Sequence, residues 1–192
     1  MYRKKDERAH PDLAGDDPYA HQLPLSRAIP LWGGISEGGF AEVVLHPRKK
    51  LKVSEWVECV REGKLTAAIK SLEPMDKKGP WHVMCDNEPC LKRPASYKAY
   101  KEKKIKLWLV PPRSPDLNMI EKFWSWLGKE LRRRDLKDLR EGKPVLDKIA
   151  YRLRVKAVLR SPRAQGVASR CARNLKKVCK AVLKKKGAHS GF

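Results

Sequence analysis

The longest periodic stretch covers residues 53–72. Trp56, Val57 and Val60, then Leu65, Ala68, Ile69 and Leu72, recur at helical spacing, and Gly63 is placed to divide the stretch into two helices. Ahead of it, "AIPLWGGIS" and "FAEVVLH" are β-rich and separated by "EGG", which predicts a hairpin. Pro30 weakens the first of these strands or places it at an edge. Residues 1–26 are polar and rich in turn formers, and predict a loop after a short opening strand. Downstream, "WHVMCDN" is a short apolar run that ends at Asp86, and "RPASYKAYKEKK" predicts a helix opening at Pro94. Residues 105–110, "IKLWLV", are almost continuously apolar, as in a strand covered on both faces. Strand, helix and strand so close together predict a βαβ unit, with a parallel pair and a right-handed crossover. A helix over 118–131 follows, its apolar stripe formed by Ile120, Phe123, Trp124, Leu127 and Leu131.

The last third keeps helical periodicity but changes in charge. Leu146, Ile149, Ala150 and Leu153 form one apolar stripe, and Cys171, Leu175, Val178 and Val182 another. Lys148, Arg152, Lys156 and Arg160 recur at i+4 spacing. Two basic amphipathic helices are predicted, starting near Pro144 and Pro162. Residues 148–192 hold 14 Lys+Arg and no acid. The whole chain has 192 residues, 44 Lys+Arg, 22 Asp+Glu and a net charge of +22. Such a balance points to a polyanionic partner: nucleic acid first, an anionic membrane surface second. The residues expected to meet it are Arg113, Arg132, Arg133, Arg134, Lys148, Arg152, Lys156, Arg160, Arg170, Arg173, Lys176, Lys177 and Lys180. "HPRKKLKV", residues 46–53, has the charge density of a nuclear localisation patch, or connects a strand to a helix.

No apolar run approaches the ~18 residues of a membrane span. The opening "MYRKKDERAH" lacks a signal peptide's apolar stretch, so a soluble intracellular protein is expected. The five cysteines are odd in number and scattered, which disfavours a disulfide framework. His82, Cys85 and Cys90 raise zinc only to lower it, because on a strand His82 and Cys85 point to opposite faces.

Two acids stand out. Asp86 ends a predicted strand, and Glu121 lies in the first turn of the helix after the neighbouring strand. Ligands of open α/β sheets gather beyond the carboxyl ends of the strands. Pro111 and Pro112 end the second strand and steer the chain, which would bring Glu121 back towards Asp86 at a mouth lined by basic residues. Two carboxylates suit a hard divalent cation, Mg²⁺ or Mn²⁺. The bland alternative is that Asp86 serves a turn, Asp116 or Ser114 caps the helix, and Glu121 only complements the helix dipole.

"CDNEPC" and, with 34 residues between the acids, "PPRSPDLNMIEKFWSWLGKEL" resemble the mariner-type DDE transposases. The matching positions are Asp86-Asn87, Ser114-Pro115-Asp116-Leu117-Asn118, Glu121 and Trp124. "IPLWGGISEGGF" resembles that family's Trp-Gly hairpin, and "CKAVLKKKGAH" its C-terminal helix end. The resemblance implies a ribonuclease H-like α/β fold, a mixed sheet with flanking helices. It implies two-metal phosphodiester cleavage and strand transfer with Asp86 and Glu121 as catalytic metal ligands, DNA as partner, action in the nucleus, and room for a homodimer. Residues 1–135 would be the catalytic domain and 136–192 a basic helical C-terminal extension.

Three departures matter. Met119 stands where the family usually has Pro, and Lys122 where Asn is usual. The family's first acid belongs on an opening strand upstream, and Asp6, Asp12, Asp16 and Asp17 fall in loop-like sequence, too late for that role. The expectation is therefore a sheet missing its first strand, in a DNA-binding fragment or relic that does not cut as given. The rival is a non-enzymatic basic nucleic-acid-binding protein, a domesticated transposase piece or a ribosomal-type module. It explains the charge but not Asp86 and Glu121 at the ends of a βαβ unit.

Overall fold

A computed structural model describes residues 29–45, 51–73, 79–112 and 114–187. The predicted opening strand, Asp6, Asp12, Asp16, Asp17, Arg113 and most of the 46–53 patch lie outside them.

The hairpin forms as expected: β1 (Leu31–Ser36) pairs antiparallel with β2 (Gly39–Leu45). Pro30 immediately precedes β1, so its missing N–H interrupts no ladder. Gly39 opens β2 at φ 119°, and a Cβ there would lie 2.2 Å from Gln165 Oε1. Only glycine satisfies both conditions. Two helices follow, α1 (Val53–Arg61) and α2 (Lys64–Leu72). Between them Gly63 adopts φ 83°, which turns the chain without a Cβ penalty.

The βαβ unit is also present. Strands β3 (Trp81–Cys85) and β4 (Ile105–Leu109) are parallel and in continuous register, joined through a 3₁₀ turn and α3 (Pro94–Glu102). Pro94 occupies the first turn of α3, where no N–H is required. The β4 strand is not covered on both faces, however. Ile105 is buried, whereas Lys106 and Trp108 are exposed, as are His82 and Met84 beside them. An apolar run alone does not distinguish a doubly buried strand from one that leaves a tryptophan on an open face.

A second difference concerns the sheet. The described strands form two separate two-stranded sheets rather than one mixed sheet. A cleft lies between the outer edge of β1 and that of β3.

Helix α4 (Met119–Arg140) continues nine residues beyond the predicted end at 131. Its extension is held by ion pairs that an apolar stripe cannot reveal. Helices α5 (Lys148–Arg160) and α6 (Pro162–Lys184) complete the described chain. Helix α5 starts at Lys148, not near Pro144, because Asp147 caps it: the Asp147 side chain accepts the Ala150 N–H (2.7 Å), a capping bond proline cannot offer. The expected stripe of Ile149 and Leu153 is 73% and 64% exposed, and α5 buries Val155, Val158 and Leu159 instead.

Two apolar clusters flank the hairpin. Ala41 and Val43 on one face of β2 join Trp56, Val60, Leu65, Trp81, Cys85 and Tyr100. Phe40, on the other face, joins Phe123, Leu127 and Leu131 of α4 with Val158 and Ala168 of the last two helices. Phe40 stacks on Phe123 with ring centroids 5.0 Å apart. Helix α6 also grips the hairpin through polar bonds. Phe40 N–H donates to Gln165 Oε1 (2.8 Å), and Ser169 Oγ donates to the Glu37 carbonyl (2.8 Å). The boundary expected at 135/136 falls inside α4, and the basic helices share a core with the hairpin. No helix among the described residues is long and apolar enough to cross a membrane.

Candidate functional site

Asp86 is the first residue beyond β3, on a loop pinned to the neighbouring strand. Val110 N–H donates to the Cys85 carbonyl (2.7 Å), and Asn87 Nδ2 donates back to the Val110 carbonyl (2.6 Å). The ends of both strands are thus tied together. The exposed Asp86 carboxylate accepts the Glu88 N–H (3.2 Å), an Asx turn that leads into the 3₁₀ turn Pro89–Lys92.

Pro111 and Pro112 follow β4, and a further 3₁₀ turn, Pro115–Leu117, delivers the chain to α4. Asn118 takes the N-cap position of that helix; neither Asp116 nor Ser114 does. Asp116 is buried in the preceding turn. Glu121 sits in the first turn of α4, exposed, and accepts a bond from Asn118 Nδ2 (3.3 Å). The helix dipole favours its negative charge there. Phe123, completely buried, anchors the turn that carries it.

Asp86 and Glu121 open on the same cleft, about 1040 Å³ in volume. Its walls include all of β1, residues 82–85 of β3, and apolar residues of α2, α4 and α6. The basic mouth expected from the sequence is not found among the described lining residues, which include no lysine or arginine. Carboxylates gather there instead. Glu88, two residues beyond Asp86, lines the cleft too, and burial together with the Asp86 charge pushes its carboxyl above the usual range. Trp32 donates a hydrogen bond to it, which works in the opposite direction. Sequence reading missed Glu88. The signal was its i+2 spacing from Asp86 in "CDNEPC", but the burial that makes it informative needs the fold.

The carboxylates of Asp86, Glu88 and Glu121 offer oxygen donors of the kind a hard cation takes, and no lysine or arginine is among the described residues that line the cleft. These acids are not drawn into a ready-made cluster. Among the described residues no group of three or more His, Cys, Asp or Glu is close enough to hold a metal ion. The zinc alternative fails on its own terms. His82 is exposed while Cys85 is buried, and burial, reinforced by Asp86, pushes the Cys85 thiol up to about 12. Cys90 is likewise pushed up to about 11, so neither is a ready thiolate.

The expected DNA-contacting residues divide into free and engaged groups. Arg132, Lys148, Arg160, Arg170, Lys176, Lys177 and Lys180 are exposed. Arg133 and Arg134 are both drawn onto the buried Glu130 (2.8 and 2.9 Å). Lys156 lies 4.0 Å from Glu42, and Arg173 donates to Ser169 Oγ (2.8 Å). Arg152 is half-buried and engaged in an interaction of its own.

A strand-end acid and a first-turn helical acid thus line one cleft of a mixed α/β structure. Residues 3–142 match the family model of the DDE superfamily endonucleases, and the chain belongs to that family. The family uses divalent metal ions in general, and its transposase- and integrase-type activities make DNA the implied partner. No curated protein matches the sequence as a relative.

Proposed function

We propose that this chain is a mariner-type DDE transposase domain with a ribonuclease H-like architecture, acting on DNA in the nucleus. In this reading Asp86 and Glu121 hold Mg²⁺ or Mn²⁺, and the basic helices bind duplex DNA. The observation that carries it is the opening of Asp86 and Glu121 on one cleft without a lysine or arginine among its described walls. The ions, when bound, would activate the attacking water and stabilise the leaving 3′ oxygen.

The chain's own contribution is positional. The Asn87–Val110 and Val110–Cys85 bonds hold the Asp86 loop to both strand ends, and Asn118 orients Glu121. Rigid support of this kind is what a metal ligand requires. The exposed cations of α5 and α6 supply a sequence-independent grip on phosphates, with counterion release as the driving force.

The 192-residue chain on its own binds DNA without cutting it. Two-metal chemistry clamps both the attacking and leaving oxygens. Asp86 and Glu121 provide two ligand groups, and among the described residues no third His, Cys, Asp or Glu completes a metal-holding group with them. Homodimer formation on DNA is compatible with this reading, and a binding-only role as a domesticated piece is its nearest rival.

The test is relaxation of supercoiled plasmid in Mn²⁺, run beside duplex-binding titrations at several salt concentrations. Expected are binding with steep salt dependence and no nicking. Replacing Lys176, Lys177 and Lys180 with alanine lowers the magnitude of the log–log salt slope by about one unit per lysine. Nicking by the chain that disappears in Asp86→Ala and Glu121→Ala would contradict the inactive reading while supporting the site. Salt-insensitive binding would contradict the DNA reading.

A further inference from the structure

The β3–β4 pair has two unlike faces. Trp81, Cys85 and Ile105 join the apolar cluster around Trp56, and Val83, Leu107 and Leu109 pack against it. The residues that alternate with them, His82 and Met84 on β3 and Lys106 and Trp108 on β4, are exposed on the opposite face. The register sets His82 beside Lys106 and Met84 beside Trp108. Trp108 is 63% exposed and Met84 43%, and the His82 and Trp108 rings meet edge to face with centroids 6.0 Å apart.

An indole left in water forgoes the burial that makes tryptophan a core residue. The chemistry of its neighbours says what suits it. The four side chains are two rings, a thioether and an ammonium, with no carboxylate among them. Flat π surfaces beside a cation are what single-stranded nucleic acid takes: bases on the rings, a phosphate on the ammonium. A second copy of this chain would instead bring a net charge of +22 against the same lysine.

Position points the same way. His82 and Met84 also line the cleft on which Asp86 and Glu121 open. At about 3.3 Å per strand residue, Met84 and His82 fall roughly 7 and 13 Å from Asp86. The open face therefore continues the wall of the cleft, on a strand pair whose ends are tied by the Val110 N–H to the Cys85 carbonyl.

We infer that this face is a stacking platform for unpaired nucleobases. Trp108 and His82 take the bases and Lys106 a phosphate, in a single-stranded segment whose backbone runs on to the Asp86–Glu121 cleft. The inference rests on the DNA reading above and narrows it. The basic helices grip duplex phosphates without regard to pairing, whereas the platform selects an unpaired segment, since bases within a duplex are already stacked on one another.

The experiment titrates the full 192-residue chain at one salt concentration with three labelled probes. They are an oligothymidylate of about twelve nucleotides, an abasic strand of the same length and a duplex. The wild-type chain should prefer oligothymidylate over the abasic strand by about tenfold. Trp108→Leu keeps an apolar side chain on β4 but removes the π surface; it should abolish the preference and leave duplex affinity unchanged. Trp108→Phe should keep most of the preference. Because Trp108 is exposed, both variants should fold as wild type does. Equal affinity of the wild-type chain for oligothymidylate and the abasic strand would overturn the inference, and so would a full preference in Trp108→Leu. Either result, with duplex binding intact, leaves the DNA reading standing. A wild-type chain that binds none of the three probes overturns both. A wild-type dimer that Trp108→Leu dissolves, with no preference for bases, would assign the face to a second copy and overturn the inference.

Discussion

Glu121 and Glu130 lie on the same helix, nine residues apart, and have opposite fates. Glu121 is exposed and holds a single amide, that of Asn118. Glu130 is buried, and its carboxylate takes both Arg133 and Arg134, with Arg163 at 3.7 Å. The arginine bonds hold its carboxyl down to about 2. A carboxylate whose lone pairs are already filled by guanidinium donors has nothing left for a metal ion. One bonded to a neutral amide, at a cleft with no lysine or arginine among its described walls, keeps its ligating capacity. Burial and charge therefore tie Glu130 into the packing of the helices, whereas the Glu121 carboxylate faces the cleft with little to hold it.

The largest expected effect breaks what the two acids share. Phe123 lies between them, fully buried and in ring contact with Phe40, Trp124 and Trp126. Phe123→Ala should destabilise the chain by about 3–5 kcal/mol. Denaturant unfolding measures it, and a loss below about 1 kcal/mol would mean that α4 is not docked as described.

Next comes Glu130. Its folded-state pKa is depressed, so it contributes stability above the ordinary carboxylate value near 4.5. That contribution is lost as pH falls from about 4.5 towards about 2. Glu130→Gln should cost about 2 kcal/mol at pH 7, less than a fully enclosed ion pair because water reaches the arginines. It should also flatten the acid limb of the stability curve. An unchanged acid limb would show that the arginines do not hold this carboxylate in solution.

Glu88 runs the other way. Its pKa is raised by burial and by Asp86, so the proton is held more tightly in the folded chain. Ionising it therefore costs stability as pH rises from about 4.5 through the raised value. Glu88→Gln should remove that loss, read as a flatter stability curve in weak acid. A steeper curve would contradict the crowding of acids at the cleft.

The contrast between the two glutamates was half legible in the sequence. Strand, prolines and helix are local signals, so the placement of Asp86 and Glu121 could be read from short runs. The parallel pairing of β3 and β4 followed from the helix between them, and Gly63 announced its own break. What could not be read depends on which side of an element meets another. The apolar stripe at Ile149 and Leu153 is as periodic as the Val155 and Val158 stripe that the fold buries. Trp108 reads as core and is 63% exposed. Glu130, Arg133 and Arg134 look like a solvated charge run, and only the packing of α6 against α4 shows that one of the three is buried. The two-sheet arrangement was hidden for a related reason: strands are local, whereas sheet membership is a tertiary contact.

The smallest change in stability carries the most information. Glu121→Gln and Asp86→Asn should each leave the melting temperature without metal nearly unchanged, since both groups are exposed. The most direct test is the melting temperature of the wild-type chain, these two variants and Glu130→Gln, titrated with Mn²⁺. At Mn²⁺ about tenfold above its Kd, binding should stabilise the wild-type chain by about 1.4 kcal/mol, a shift of roughly 3–6 °C for a chain of this size. Glu130→Gln should start lower and keep the full shift, while Glu121→Gln and Asp86→Asn should lose most of it. A wild-type chain indifferent to Mn²⁺, or variants of the two cleft acids that respond as fully as wild type, would contradict the account.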